Sequence, residues 1–267
     1  MRSGGAGPAF LSVPTREILP PVTIPIVASG ADWLVVSKPA GLLVHPTRPD
    51  GTITLQGLLR HWLGSELAGV GQVSLIHRLD RETSGLLLVA TTALAARHFS
   101  QQIERGAMDK EYRAIVFGWP EWDDREVDAP ILREGSRGPF QIWLKQAIHP
   151  DGAPARTEFS ILARFERDGD KFSLLTARPR TGRMHQIRVH AAALGHPLVG
   201  DKIYGPDEGC YLRFIETGWT PELARSLSLP RHALHAHRLG FLDPAGRRVE
   251  LTAPAPLDLQ SFAGSWP

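Results

Sequence analysis

The segment from Ile76 to Ala90, IHRLDRETSGLLLVA, gathers His77, Arg78, Asp80, Arg81 and Glu82 on one short stretch and passes at once into an apolar run. On local pattern alone, an aspartate before RETSG is a turn or capping residue about two times in three. Its position supports a second reading. Asp80 stands where a charged loop enters a buried strand, beside Arg78 and near the hydroxyls of Thr83 and Ser84. Cations and donors there hold a carboxylate ionised, below the ~3.9 reference, as an anionic nucleophile needs.

A second cluster, RPRTGRMHQIRVH, places Arg183, His185, Gln186, Arg188 and His190 on or before the first turns of a helix. Ile187 and Val189 alternate with the charged residues, which predicts that the cations share one side. The TGR triplet brings backbone N–H groups to a helix start, a setting that suits anions. Phosphate contact and plain solvated surface fit this pattern about equally. Tyr112, in KEYRAIVFG, is an aromatic on a strand. Such a residue usually packs with its hydroxyl at the rim, and in a nucleic-acid enzyme it can stack on an extruded base.

Metal chemistry is not expected. In HALHAH, strand alternation puts His235 and His237 on one face, with His232 further off, and no carboxylate or cysteine stands near to complete a tetrahedral set. HQIRVH spaces its histidines by five, not the four that share a helical face. There is no Walker loop and no GxGxxG.

The elements that must carry these residues read as a largely antiparallel α+β sheet domain. Trp33 to Ser37 has strand composition, and KPAG is a turn signal. TITLQGLLRHWLG carries Leu55, Leu58, Leu59, Trp62 and Leu63 at helical spacing, with Gly64 as its end. SGLLLVA is an apolar strand. TTALAARHFSQQIERG is a helix with Thr91 or Thr92 as N-cap and Gly106 as stop. Between Trp119 and Pro154 short paired strands are expected, QIWLKQAI among them. ARTEFSILARF and KFSLLTARP are two strands joined by the hairpin signal ERDGD. GRMHQIRVHAAALG is a helix closed by Gly195, and HALHAHRLGF and RRVELTAP form a last strand pair.

The 267 residues suffice for one large domain or two small ones. A formal net charge of +2 is too small to identify a nucleic-acid partner, because clustering matters more than the sum. Cys210 is the one cysteine, which excludes disulfides within a monomer and suits a reducing cytoplasm. No signal peptide or membrane span is expected. Residues 1–25, rich in Gly, Pro and Ser, read as an N-terminal arm with no folded module.

KPAGLLVHP, HRLDRETSGLLLVA, KEYRAIVFG, RTGRMHQIRVH, GHPLVGDKIYG and LHAHRLGF occur in that order. Together, from about Pro25 to Pro256, they resemble the ordered signature of the RluA-type pseudouridine synthases. The resemblance implies one catalytic domain over 26–267, with a mixed, mainly antiparallel central sheet flanked by helices and a central cleft. It implies isomerisation of uridine to pseudouridine in structured ribosomal or transfer RNA, with base flipping and no cofactor. By that resemblance Asp80 is the catalytic aspartate, Arg183 the arginine that pairs with it, and Tyr112 the tyrosine against the target base. Arg78 then fills the gap left by the flipped nucleotide. His77, Thr83, Lys110, His185, Ile187 and Arg188 are expected on the RNA side. A cytoplasmic monomer with no obligate protein partner is the expected state. Ala153, where the family often has Lys, and Asp243-Pro244, where it often has HP, depart from the pattern outside the catalytic motifs. The rival readings are a non-catalytic RNA-binding protein on the same fold and, far behind, a metal-dependent hydrolase built on the C-terminal histidines.

Overall fold

Sequence periodicity settles most of the elements. In the computed structural model, residues 10–12, 23–46, 51–66, 73–136, 141–207 and 209–266 are described. The first half of the chain forms β1 (Phe10–Ser12), β2 (Thr23–Ser29), β3 (Trp33–Lys38), α1 (Leu55–Glu66), β4 (Ser74–Leu75), β5 (Ser84–Ala90), α2 (Ala93–Glu104), β6 (Asp109–Phe117) and β7 (Asp124–Asp128). Then come β8 (Ile131–Arg133), a 3-10 turn (Glu134–Ser136), β9 (Gln146–Ile148), β10 (Arg156–Arg167), β11 (Asp170–Pro179) and α3 (Gln186–Ala193). The chain closes with α4 (Gly209–Thr217), α5 (Pro221–Leu227), β12 (Leu234–Leu242), β13 (Arg248–Thr252) and α6 (Leu257–Ala263). The architecture is the expected mixed α+β one, with mainly antiparallel strand pairing and six α-helices among the described residues.

The chain groups into two compact units. The first joins Met1–Asp109 to Ala236–Pro254, and the second joins Lys110–His235 to Ala255–Pro267. In the first unit the strands run β1-β2-β3-β5-β12, with β13 on β12 and β4 on β5. Register sets Trp33 opposite Ala90 and Lys38 opposite Gly85. Every residue of β5 is buried, as its unbroken apolar run requires. Gly85, at φ +112°, has no substitute: a Cβ there would stand 2.2 Å from the Ala236 carbonyl oxygen. The core of this unit packs Trp33, Val35, Leu86, Leu88 and Phe99 around Phe241. Edge-to-face ring pairs join Trp33 and Phe99 to Phe241, at centroid distances of 5.1 and 5.4 Å.

In the second unit β6, β11, β10 and β7 lie side by side, all antiparallel. The β10–β11 hairpin turns on Asp168 and Gly169, both at positive φ, between the paired residues Arg167 and Asp170. Two positive φ values give the twist that two-residue hairpins favour, which is why ERDGD is so readable. β8 and β9 form a separate pair.

Several boundaries move. α1 continues through Gly64 to Glu66, because Leu55, Leu58, Leu59 and Leu63 are all buried and their packing outweighs the ~1 kcal/mol that an interior glycine costs. Thr92, not Thr91, caps α2, its hydroxyl accepting from the Ala95 N–H at 3.2 Å. α3 starts only at Gln186, and within QIWLKQAI only Gln146–Ile148 is strand. α4, α5 and α6 were not expected. Of the N-terminal arm expected over 1–25, Phe10–Ser12 pairs with β2, residues 23–25 begin β2 itself, and 1–9 and 13–22 lie outside the described residues.

Phe241→Ala should lower the unfolding free energy by ~3–5 kcal/mol, since it removes the ring on which two others pack. Urea unfolding followed by tryptophan fluorescence checks this.

Candidate active site

Asp80 sits in the loop between β4 and β5 of the first unit, half-buried, in a turn closed by the Thr83 N–H donating to its carbonyl at 3.1 Å. What fixes that turn is a buried lysine. The Lys38 side chain ends β3 at 1% exposure, and its Nζ donates to the carbonyls of Pro39 (2.8 Å), Leu42 (2.9 Å) and Arg81 (3.1 Å). The two loops are laced further. Gly41 N–H donates to the Arg81 carbonyl at 2.8 Å, and Arg81 Nε returns a bond to the Gly41 carbonyl at 3.1 Å. An ammonium withdrawn from water needs its donors satisfied, and here one of the acceptors is the Arg81 carbonyl, on the residue after Asp80. His77 Nε2 accepts from the Leu88 N–H at 3.2 Å, which ties the start of the loop to β5. Thr83 and Ser84 are buried, and Arg78 is exposed.

Arg183 belongs to the second unit, in the loop between β11 and α3. One buried amide organises that loop. Gln186 Oε1 accepts from the Thr181 hydroxyl (2.7 Å) and the Arg183 N–H (3.0 Å). Its Nε2 donates to the Arg156 carbonyl and to Thr157 Oγ1, both at 2.9 Å. Thr157 stands 2.9 Å from His190 Nδ1, and His190 Nε2 lies 3.0 Å from the Ala129 carbonyl. Burial pushes the His190 pKa down, so the ring is neutral and donates from Nε2. The Arg183 side chain is exposed, and its Nε donates to the Pro154 carbonyl at 3.0 Å, which aims the guanidinium. His185 caps α3 in the left-handed region at φ 57°, with Nδ1 2.9 Å from the Tyr204 hydroxyl.

The expectation of a cationic outer face on α3 fails. Ile187, Arg188, Val189 and His190 are all buried. Alternation separates faces on a strand, whereas consecutive helical residues step around the axis, so the IRVH pattern segregates nothing. Arg188 instead grips Asp201 through two bonds, Nε–Oδ2 at 2.6 Å and NH2–Oδ1 at 2.8 Å. Burial would raise the Asp201 pKa. The Arg188 guanidinium, aided by the Tyr204 N–H, holds it well below the ordinary carboxylate range. The same guanidinium lies 5.0 Å from the centre of the Tyr204 ring. Arg188 and Ile187 therefore hold the helix in place.

Tyr112 is on β6, 9% exposed, opposite Ala177 of β11. Lys110 lies two residues before it, on the same face by alternation, and burial lowers its pKa. Its Nζ is 3.8 Å from where a Cβ on Gly182 would stand, which puts the amine against the loop leading to Arg183. On the opposite face Glu111 pairs with Arg113 at 2.9 Å and with Arg178 at 2.8 Å.

The expected site residues thus form two sets. His77, Arg78, Asp80 and Thr83 belong to the first unit, and Lys110, Tyr112, Arg183, His185, Ile187 and Arg188 to the second. Sequence reasoning missed Lys38 and Tyr204, and it gave Gln186 no special role. The available signal for Lys38 was a lysine at the end of the apolar strand WLVVSK. Among the described residues no group of three or more His, Cys, Asp or Glu is placed to hold a metal, and no helix is long and apolar enough to cross a membrane.

Residues 32–193, a span that holds both Asp80 and Arg183, match the family described as RNA pseudouridylate synthase. The chain is 40% identical over 227 residues to an "Uncharacterized RNA pseudouridine synthase" of Chloroflexus aurantiacus, a match over 84% of this chain and 63% of that protein's length. It is 36% identical over 245 residues to the "Ribosomal large subunit pseudouridine synthase D" of Zymomonas mobilis, covering 90% of this chain and 71% of that one. The solved structure of "Human RNA Pseudouridylate Synthase Domain Containing 1" superposes with a TM-score of 0.67 at 29% identity, over 90% of this chain and 86% of that one. These likenesses define a pseudouridine synthase fold, of the isomerase class. The chain belongs to the RNA pseudouridylate synthase family.

Asp201→Asn should leave Arg188 buried without its counter-charge and cost ~3–5 kcal/mol of stability at about pH 7. The folded Asp201 carboxyl titrates below its unfolded value of ~3.9. Its contribution is therefore complete above about pH 5 and is lost as the pH falls below about 4. The gap between wild-type and variant urea midpoints should narrow over that window.

Proposed function

We propose that this chain isomerises uridine to pseudouridine in structured RNA, without a cofactor, through Asp80. The observation that carries the reading is the clamp on the Asp80 turn by Lys38, which fixes a half-buried carboxylate at the head of a buried strand. The names of the ribosomal large subunit relatives favour large-subunit ribosomal RNA over transfer RNA as the substrate.

The reaction breaks the N1–C1′ bond, turns the uracil and rejoins it at C5. The proton on C5 leaves and N1 gains one, so the sum is an isomerisation with no redox change and no hydrolysis. A single carboxylate can serve by attacking C1′, by adding to C6, or by removing the C2′ proton. Each route needs Asp80 ionised, shielded from water and aimed. In this reading Arg183 is its guanidinium partner. Tyr112 lies against the base and is the candidate relay for the C5 proton. The uridine must leave its stack at a cost of a few kcal/mol, least in loops. Arg78, exposed on the Asp80 loop, fills the space left behind. His77, Thr83, Lys110 and His185 support these loops, and both units make up the catalytic domain. A monomer working in the cytoplasm suffices for this chemistry.

Asp80→Asn should reduce tritium release from RNA labelled at uridine C5 by about 10³-fold or more while leaving the melting midpoint near that of wild type. Wild-type turnover by an intact Asp80→Ala protein would sink the proposal. RNA affinity should fall linearly on a log–log plot against salt, with a slope of about −0.7 per phosphate neutralised on single strands. Arg78→Ala should flatten that slope in filter-binding titrations.

A further inference from the structure

Trp143 is 57% exposed, against 38% for Trp119 and for Trp219. The other two are engaged. Trp119 donates from Nε1 to the Phe165 carbonyl at 3.2 Å and carries the Lys171 ammonium 4.5 Å from its ring, while Trp219 has the Lys202 ammonium 6.0 Å away. Trp143 presents more than half its surface to water, yet its seat is built. The indole lies on the bare backbone of Gly135, where an added Cβ would stand 2.6 Å from Cε3. The guanidinium carbon of Arg133 is 5.9 Å from the ring centre.

The surrounding segment is pinned. Ile131 opposes Ile148 across the β8–β9 pair, and Ile131 and Ile142 are buried in a cluster with Val189, Ile203 and Tyr204. Lys145, two residues past Trp143, reaches Glu134 at 3.6 Å. The Gln146 N–H donates to the Tyr204 hydroxyl at 2.8 Å, and that hydroxyl meets His185 Nδ1 at 2.9 Å. A continuous set of bonds thus runs from the strand beside Trp143 to the loop that carries Arg183, all within the second unit.

We propose that Trp143 is a stacking platform for an unpaired nucleobase of the RNA, outside the target uridine's own site, with Arg133 beside it for an adjoining phosphate. This rests on the reading of the chain as an RNA enzyme. An open indole with a guanidinium beside its ring fits a single strand, since a base offers a flat π-face and its backbone the negative charge. A duplex keeps its bases stacked on one another and has no free face to offer. A protein partner is the competing occupant, but among the described residues of this hairpin the other exposed large apolar side chains are Leu144 and Ile148, at 46% and 40% exposure, and Arg133, Glu134 and Lys145 set charge among them. Because every base has a π-face, the platform adds affinity without sequence preference and acts on KM rather than on kcat.

Direct binding tests this, with a short fluorescein-labelled uridine-rich single strand and a blunt RNA duplex of equal length as probes. Trp143→Ala should weaken single-strand binding by about tenfold and leave duplex binding unaltered, while Trp143→Phe keeps most of the affinity. Gly135→Ala, which unseats the ring without removing it, should weaken the single strand as well. On large-subunit ribosomal RNA the Trp143→Ala effect should fall on KM. Unchanged single-strand binding by Trp143→Ala overturns the proposal, as does a change in sedimentation that marks the indole as a self-association face. If the wild type isomerises no uridine yet binds single strands through Trp143, the isomerase reading fails and the platform stands.

Discussion

A positive charge carried into a place that water does not reach must be answered by the protein, and at Lys38 the answer is three backbone carbonyls. They come from Pro39 and Leu42 on one side and from Arg81 on the other, so satisfying one ammonium joins two loops that lie some forty residues apart in the chain. Asp80 inherits its position from that requirement. The carboxylate is next to the clamped residue, and the strand it precedes is buried throughout, so neither end of the turn can drift without breaking bonds that have no substitute in water.

The second unit meets the same constraint with other chemistry. Arg188 and Asp201 neutralise one another in the interior, and Asp201 spends its remaining lone pairs on the N–H groups of Ile203 and Tyr204. That places the Tyr204 hydroxyl between Gln146 and His185. Gln186 works in parallel, with donors and acceptor of one amide all engaged around the Arg183 backbone. Replacing such a pair with apolar side chains can leave stability intact, so stability alone does not explain why charge is buried here. What these groups add is a single geometry for the loop between β11 and α3.

Legibility from sequence follows the range of the interaction. The Asp168–Gly169 turn, the buried run of β5 and the strand pair β12–β13 are local or periodic, and each is visible in the chain. α5 carried a start signal that went unused: Thr220 as N-cap, with Pro221 and Glu222 behind it. Gly64 misled because a local rule was applied where distant packing decides. The error at α3 was one of period, since IRVH alternates like a strand yet forms a helix whose entire first turn is buried. Lys38 and Gln186 were illegible for a different reason. The contacts that join distant segments include the backbone carbonyls of Arg81 and Arg156, and a backbone carbonyl has no letter in a sequence.

Those two residues also explain how such a site divides its labour. Groups able to touch a substrate, Arg78 and Arg183, are exposed, and exposure alone would leave them conformationally free. Their order comes from polar neighbours behind them: buried Lys38 and half-buried His77 at the Asp80 loop, buried Gln186 and Tyr204 at the other. Chemistry of this kind asks for reach and for rigidity at once, and a side chain cannot supply both when it must also meet water. Placing reach on the loop residue and rigidity on the buried residue behind it resolves the conflict. A substitution behind the loop should therefore reach activity as well, on the order of 10–100-fold, although the altered atom is placed away from any substrate.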